Sequence, residues 1–177
     1  MNIAIISGSA RPARQSHQVA QYAQQQLNKL AVSNWIWDIK ESNLPLLTAV
    51  FAEQENPDYV LQDLHLKLLA TDAFLIVSPE HNASYPGSLK NSMDYFFKEY
   101  SGKIFGLVGV SSGVLGGINA IKNLQQYSLK LNGIVCPQFL LTPSVQKTFN
   151  DGSLVDPGYA ERMDKFLNSF LSLVKGR

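Results

Sequence analysis

Ala73-Phe-Leu-Ile-Val77 is an unbroken apolar run that stops at Ser78 and Pro79. A strand with one wet face would alternate apolar and polar positions, and an amphipathic helix would interrupt the run every two or three residues. A short run that is apolar throughout fits a strand covered on both faces, as in a parallel sheet. Similar short apolar segments occupy residues 2–7, 35–39, 104–110 and 134–140, so five strands are expected, the third spanning 73–78.

Helical patterns separate these segments. Val19, Tyr22, Ala23, Leu27, Leu30 and Ala31 fall on one face at a period of 3.6 residues. Tyr59, Val60, Leu64, Leu68 and Leu69 form a second face. Tyr159, Met163, Phe166, Leu167, Phe170, Leu171 and Val174 form a third. Strands alternating with helices imply right-handed crossovers and a parallel sheet between two helical layers. The expected fold is α/β, a three-layer flavodoxin-like arrangement with a five-stranded parallel sheet in the order 2-1-3-4-5, as one domain over residues 1–177. Ligands of such sheets bind at the carboxyl ends of the strands.

The bulk composition excludes several classes. A net charge of +1 with no long basic or acidic tract gives no case for nucleic acid. The single cysteine, Cys136, rules out an internal disulfide and sits in an apolar stretch that suits a buried structural thiol. Residues 1–7 read as a first strand and not as a signal peptide. No apolar run approaches the ~18 residues a membrane span needs, so a cytoplasmic location is expected. Charged residues make up only 16% of the chain, against about 25% in typical domains. That deficit points to a subunit interface or an apolar ligand pocket.

Three loops follow strands one, three and four. The first, Gly8-Ser-Ala-Arg-Pro-Ala-Arg-Gln-Ser16, leads into a helix. Gly8 allows a sharp turn, Ser16 suits the N-cap, and Arg11 and Arg14 carry forked donors matched to phosphate. No Asp or Glu precedes Asp38, which leaves the first helical turn open to an outside anion. The alternative is an ordinary strand-to-helix turn that carries two arginines. The loop lacks G-x-G-x-x-G and G-K-[ST], and it lacks the acids that would hold magnesium in a phosphate-accepting regulator.

The second loop, Pro79-Glu-His-Asn-Ala-Ser-Tyr-Pro-Gly87, is made irregular by its prolines and glycine. It can present backbone N–H and C=O groups to a planar, amide-edged ring, or it is simply a turn with Ser88 as a cap. Asn82 tolerates a left-handed backbone. The third loop, Gly109-Val-Ser-Ser-Gly-Val-Leu-Gly-Gly117, has glycines that let backbone approach something flat.

These residues resemble the NADPH-dependent FMN reductase family over nearly the whole chain. Gly8, Ser9, Arg11 and Ser16 match a Gly-Ser-x-Arg turn with a later serine. Pro79, Glu80, Asn82, Ser84, Pro86, Gly87, Leu89, Lys90 and Asn91 match the family's Pro-Glu-Tyr-Asn-x-Ser-x-Pro-Gly-x-Leu-Lys-Asn motif. Ser111, Ser112, Gly113, Gly116 and Gly117 match its Ser/Gly-rich loop. The resemblance implies bound FMN, with Ser9, Arg11 and Ser16 and the backbone of His17 and Gln18 on the phosphate. Residues Pro79, Glu80, His81 and Asn82, with Ser84, would line the isoalloxazine, and Ser111, Ser112 and Gly113 would close its pyrimidine side. It also implies a homodimer or homotetramer, with Met93, Phe96 and Phe97 near the interface.

The implied reaction passes a hydride from NADPH or NADH to FMN and then electrons to a small-molecule acceptor such as a quinone, free flavin, azo compound or metal oxyanion. It needs no catalytic side-chain base, nucleophile or metal. Accordingly His17, His65 and His81 read as packing, surface or flavin-loop residues. Arg14 reads as a solvated surface arginine, with the 2′-phosphate of NADPH as the alternative. The other class of reading is a flavodoxin-type carrier that holds FMN without oxidising NAD(P)H, or a flavin-dependent sensor. The near-neutral charge counts against an acidic carrier. His81 stands where the family has tyrosine. It is either a plain aromatic replacement or a titrating group beside the flavin.

Overall fold

A computed structural model describes residues 1–176. The chain runs β1 (Asn2–Ser7), α1 (Gln15–Lys29), β2 (Ser33–Asp38), a short α2 (Ile39–Ser42), α3 (Tyr59–Leu69), β3 (Ala73–Pro79), α4 (Gly87–Asp94), β4 (Ile104–Val110) and α5 (Ile118–Lys130). It continues through β5 (Ile134–Val135), β6 (Leu140–Thr142), a short α6 (Val145–Thr148), a hairpin of β7 (Phe149–Asn150) and β8 (Ser153–Leu154), and α7 (Pro157–Lys175). The main sheet is parallel and ordered β2-β1-β3-β4-β5, with β6 also paired to β4. This is the flavodoxin-like order expected from the sequence.

The two faces of the sheet separate by the two-residue period of a strand. Ile3, Ile5, Leu75, Val77 and Val108 pack with α1 and α7 through Val19, Ala23, Leu27, Met163 and Phe166. Ala4, Ile6, Phe74, Ile76 and Leu107 pack with Leu64, Leu68, Met93 and Leu124 on the other side. Both faces are dry, so the central strands are apolar throughout, as the run at Ala73 indicated. Gly106 permits the close fit of α7, because a Cβ there would lie 2.8 Å from Cδ2 of the buried Phe170.

Some expectations need correction. The fifth strand is not continuous over 134–140. It is interrupted between β5 and β6, and Pro137 in the gap has no N–H to give to a ladder. The face of α3 was misplaced. Leu61, Leu64 and Leu68 are buried, whereas Tyr59 is 80% exposed and Val60 and Leu69 are also exposed. On α1 the apolar face ends early, since Leu30 is exposed and Ala31 has left the helix with φ 54°. The third face holds, with Tyr159 through Leu171 buried along α7. Cys136 is 1% exposed and unpaired, as expected of a structural thiol. No helix among the described residues is long and apolar enough to cross a membrane.

Candidate functional site

The strand register brings three loops to one edge. Ser7 is level with Val77 and Asp38, Pro79 with Val110, and Val110 with Thr142. Backbone bonds then stitch the loops together. The Gly8 N–H donates to the Val77 carbonyl at 2.9 Å, the Glu80 N–H to Val110 at 3.1 Å, and the Ser111 N–H to Thr142 at 3.1 Å. Gly8 is needed for closeness and not for a left-handed turn, because a Cβ would meet Leu89 Cδ2 at 2.9 Å.

Helix α1 begins at Gln15 with Arg14 in the cap position and no side chain bonding its first N–H groups. Nor does its first turn carry an acid, so these donors and the positive end of the helix dipole are open to an anion. Ser16 is therefore not the N-cap that the sequence suggested. It lies inside the first turn, 2% exposed, and its hydroxyl has no partner. A buried polar group in that state costs about 1–3 kcal/mol unless something arrives to bond it. Ser9 is equally buried, and its Oγ accepts from the Arg11 N–H at 3.3 Å. This donor set fits a phosphate monoester such as that of FMN.

The other two loops complete a cleft of about 160 Å3, bordered by Ser9, Arg11, Ser16, His81, Ser111 and Ser112. Pro79 and Glu80 also border it. The remaining expected residues are placed otherwise. The ring of His17 turns toward the strand ends, with Nδ1 3.0 Å from Ser7 Oγ, leaving only its backbone N–H in the open first turn. Gln18 is the fourth helical residue, where the ladder's own bonding begins. Asn82 and Ala83 form the tip of a tight turn at φ 48° and 62°, closed by the His81–Ser84 backbone pair. Asn82 thus takes the left-handed backbone its type tolerates. Ser84 faces the far side of that turn, beside Tyr85, Asn123 and Tyr127. Gly113 lies just behind Ser111, whose Oγ accepts its N–H at 3.0 Å. Ser88 is not a cap either, because α4 starts at Gly87 behind Pro86.

Arg14 is neither a solvated arginine nor free to meet a 2′-phosphate. Its side chain is 9% exposed and paired with Asp38, at 2.7 Å to Oδ1 and 2.5 Å to Oδ2. No carboxylate among the described residues pairs with Arg11, which stays exposed. Glu80 carries a role that its motif did not disclose. Its carboxylate accepts from the Asn119 N–H and from Asn119 Nδ2, both at 3.0 Å, and so caps α5, whose own cap residue Gly117 has no side chain. Gly116 and Gly117 take left-handed backbone, at φ 62° and 88°, in the turn that leads into α5. Val145, which also borders the cleft, was missed. Only the β6 pairing brings it there, through its N–H to the Ser111 carbonyl at 3.1 Å.

Burial lowers the pKa of His81 below its ordinary 6.5, and the nearby Arg11 guanidinium lowers it further. Burial likewise lowers that of His17, against the pull of Asp38. The remaining histidine, His65, bonds Glu99 at 2.6 Å on the opposite side of the sheet from α1. No cluster able to hold a metal ion occurs among the described residues. Larger hollows lie away from the three loops, one of about 460 Å3 beneath Phe97 and one of about 410 Å3 beside Cys136.

Comparison with known proteins gives the family of the chain. The sequence profile of the family described as NADPH-dependent FMN reductase matches residues 1–146. A quinone reductase of Pseudomonas putida is 31% identical, over 98% of this chain and 95% of its own length. An FMN-dependent NADPH-azoreductase of Staphylococcus saprophyticus is 28% identical, over 97% and 94%. Among solved structures, FerB, a flavoenzyme NAD(P)H:(acceptor) oxidoreductase of Paracoccus denitrificans, superposes with a TM-score of 0.82 at 22% identity, covering 99% of this chain and 97% of that one. The chain belongs to the NADPH-dependent FMN reductase family. It is an oxidoreductase that uses FMN and NADPH.

The capping bond of Glu80 makes one prediction for the protein without ligand. Glu80→Ala leaves the Asn119 N–H unpaired and lowers stability by about 1–3 kcal/mol, read as a shift in the urea midpoint. An unchanged midpoint removes the cap.

Proposed function

We propose that the cleft holds FMN with its phosphate at the start of α1 and its ring between the β3 and β4 loops, and that the reduced enzyme passes electrons to a small quinone. The observation that carries this reading is the buried hydroxyl of Ser16, without a partner among the described residues, beside open helix N–H groups and Arg11, which pairs with no carboxylate among those residues. In this assignment Ser9, Arg11, Ser16 and the His17 N–H bind the phosphate. Pro79, the Glu80 backbone and His81 flank the isoalloxazine, and Ser111, Ser112 and Gly113 border its pyrimidine edge. Asn82 and Ser84 shape the turn that carries His81.

The chemistry supplied by bound FMN is redox exchange between a nicotinamide and an acceptor. The chain itself positions and polarises. Arg11 offers charge-assisted bonds that fix the phosphate, and the uncapped helix adds its dipole. The stitched backbone of the three loops keeps the ring site rigid before anything binds. Burial and the nearby Arg11 both favour the neutral form of His81, which then presents a flat face without adding a charge. Quinone is preferred as acceptor because two quinone reductases of Pseudomonas putida share 31% and 30% identity with this chain, slightly more than the azoreductases do. An azo compound is the second reading, supported by the azoreductases.

The deficit of charge also has a place to go. Leu69 and Phe97 are exposed at the hollow they line with Phe51 and Phe96, and Tyr59 and Leu66 are exposed on the same helix as Leu69. We assign this patch to contact with a second copy in a homo-oligomer. Met93 and Phe96 are buried within the protomer, so of the three residues expected there only Phe97, 47% exposed, is available. A cytoplasmic location, where NADPH is plentiful, completes the reading.

Purified protein loaded with FMN oxidises NADPH with turnover when a benzoquinone is supplied, followed by loss of NADPH absorbance. Arg11→Gln weakens FMN binding by about tenfold, as expected for one charge-assisted phosphate contact. A protein that binds FMN but leaves NADPH untouched would instead be a carrier. For His81, the reduction potentials of wild type and His81→Tyr coincide above pH 7. Below pH 6.5 the wild type rises as the imidazolium forms, since a cation stabilises the reduced flavin. A preference of ~1.4 kcal/mol corresponds to about 30 mV, and superimposable curves throughout leave His81 a plain aromatic replacement. Phe97→Glu converts the oligomer to protomers in sedimentation velocity, and an unchanged sedimentation profile excludes the patch.

A further inference from the structure

The loop between β1 and α1 carries two guanidinium groups with opposite commitments. Arg11 is exposed, and no carboxylate among the described residues pairs with it. Arg14 is the reverse. Its Nη1 donates to the Ser9 carbonyl at 3.2 Å and to Asp38 Oδ1 at 2.7 Å, and its Nη2 donates to Asp38 Oδ2 at 2.5 Å. Both side chains of the pair are largely buried, at 9% and 15% exposure. Bidentate pairing of this kind fixes direction as well as distance. A partly buried pair is also screened far less by salt than a surface one.

Asp38 is itself held firmly. It ends β2 in register with Ser7, and its Oδ1 accepts the Lys40 N–H at 3.0 Å as the cap of α2. The ring of His17 stands 3.5 Å from Oδ2, and Glu41 comes within 4.0 Å of Arg14 from a mostly exposed position. The guanidinium thus ties the end of β2 to the Ser9 carbonyl, near the start of the loop. The loop has need of such a tie, because no side chain caps α1 and Arg14 itself occupies the cap position.

We propose that Arg14 and Asp38 form a clamp that holds residues 8–16 in the shape that receives the FMN phosphate, with Arg14 a positioning residue and Arg11 the guanidinium left for the phosphate. Because Asp38 neutralises Arg14, the clamp adds little net field at the site. It acts by keeping Ser9, Ser16 and the first N–H groups of α1 convergent when nothing is bound. This rests on the reading that the phosphate enters this loop.

The test compares FMN with riboflavin, which has the same ring and no phosphate. Apoprotein is titrated with each flavin and followed by quenching of flavin fluorescence, for wild type, Arg14→Gln, Asp38→Asn and the double variant. Each single change raises the Kd for FMN by about tenfold or more and leaves that for riboflavin within about twofold. The double variant is no more than about threefold worse than the poorer single one, because both remove the same tie. Should Arg14→Gln fail to fold, Arg14→Lys decides in its place, since lysine keeps the charge but cannot bridge both carboxylate oxygens and the Ser9 carbonyl.

An FMN Kd unchanged in Arg14→Gln overturns the clamp, and so does equal weakening for both flavins, which marks a general loss of structure. Tighter FMN binding in Asp38→Asn also overturns it, by showing Arg14 to be a phosphate ligand held in reserve. If wild type prefers FMN no more than riboflavin, the phosphate site itself is wrong and the clamp falls with it. A wild type that prefers FMN beside an indifferent Arg14→Gln removes the clamp alone.

Discussion

A parallel sheet cannot be turned by hairpins, and the architecture follows from that constraint. Each strand must be followed by a crossover long enough to return the chain to its starting edge, and in this protein helices supply most of that length. Helices on both faces dry the sheet, and the loops that leave the strands are collected at one edge. Those loops hold backbone groups that the sheet no longer pairs. The chain answers this by bonding loop to loop, at Gly8, Glu80 and Ser111. What remains unpaired is concentrated at the start of α1, where a phosphate can complete the set.

The fold was legible where one physical rule acts alone. An apolar run with no polar interruption can be buried on both faces as a strand, so β1, β3 and β4 could be located from Ile, Val and Leu content. Legibility failed where two rules compete. The apolar residues of α3 fall on more than one stripe, and packing against the sheet selects the one that carries Leu61, Leu64 and Leu68. At the last strand, apolar content favoured continuity while Pro137 opposed it, and the missing N–H prevailed.

The candidate site was legible in its backbone logic and less so in its side chains. The absence of acids before Asp38 correctly marked an open helix start. It did not reveal that Asp38, the first acid in the chain, returns to neutralise one of the two arginines. That contact depends on β1 and β2 lying side by side, a fact of topology and not of local pattern. Glu80 is a similar case. A carboxylate within a motif-bearing loop suggests contact with a ligand, yet here it substitutes for the side chain that Gly117 lacks. In both instances a charge was spent inside the protein, and its partner lay on another element.

The burial of Cys136 has a chemical consequence. Quinones are soft electrophiles that add readily to thiolates, and a thiol near a quinone site is a target for arylation. The chain has one sulfhydryl, 1% exposed, in the gap after β5, where its N–H bonds the Phe105 carbonyl well short of the strand ends that carry the cleft. Burial keeps an electrophile in the cleft from reaching its sulfur. If the acceptor is a quinone, as proposed above, it meets no exposed thiol at the cleft.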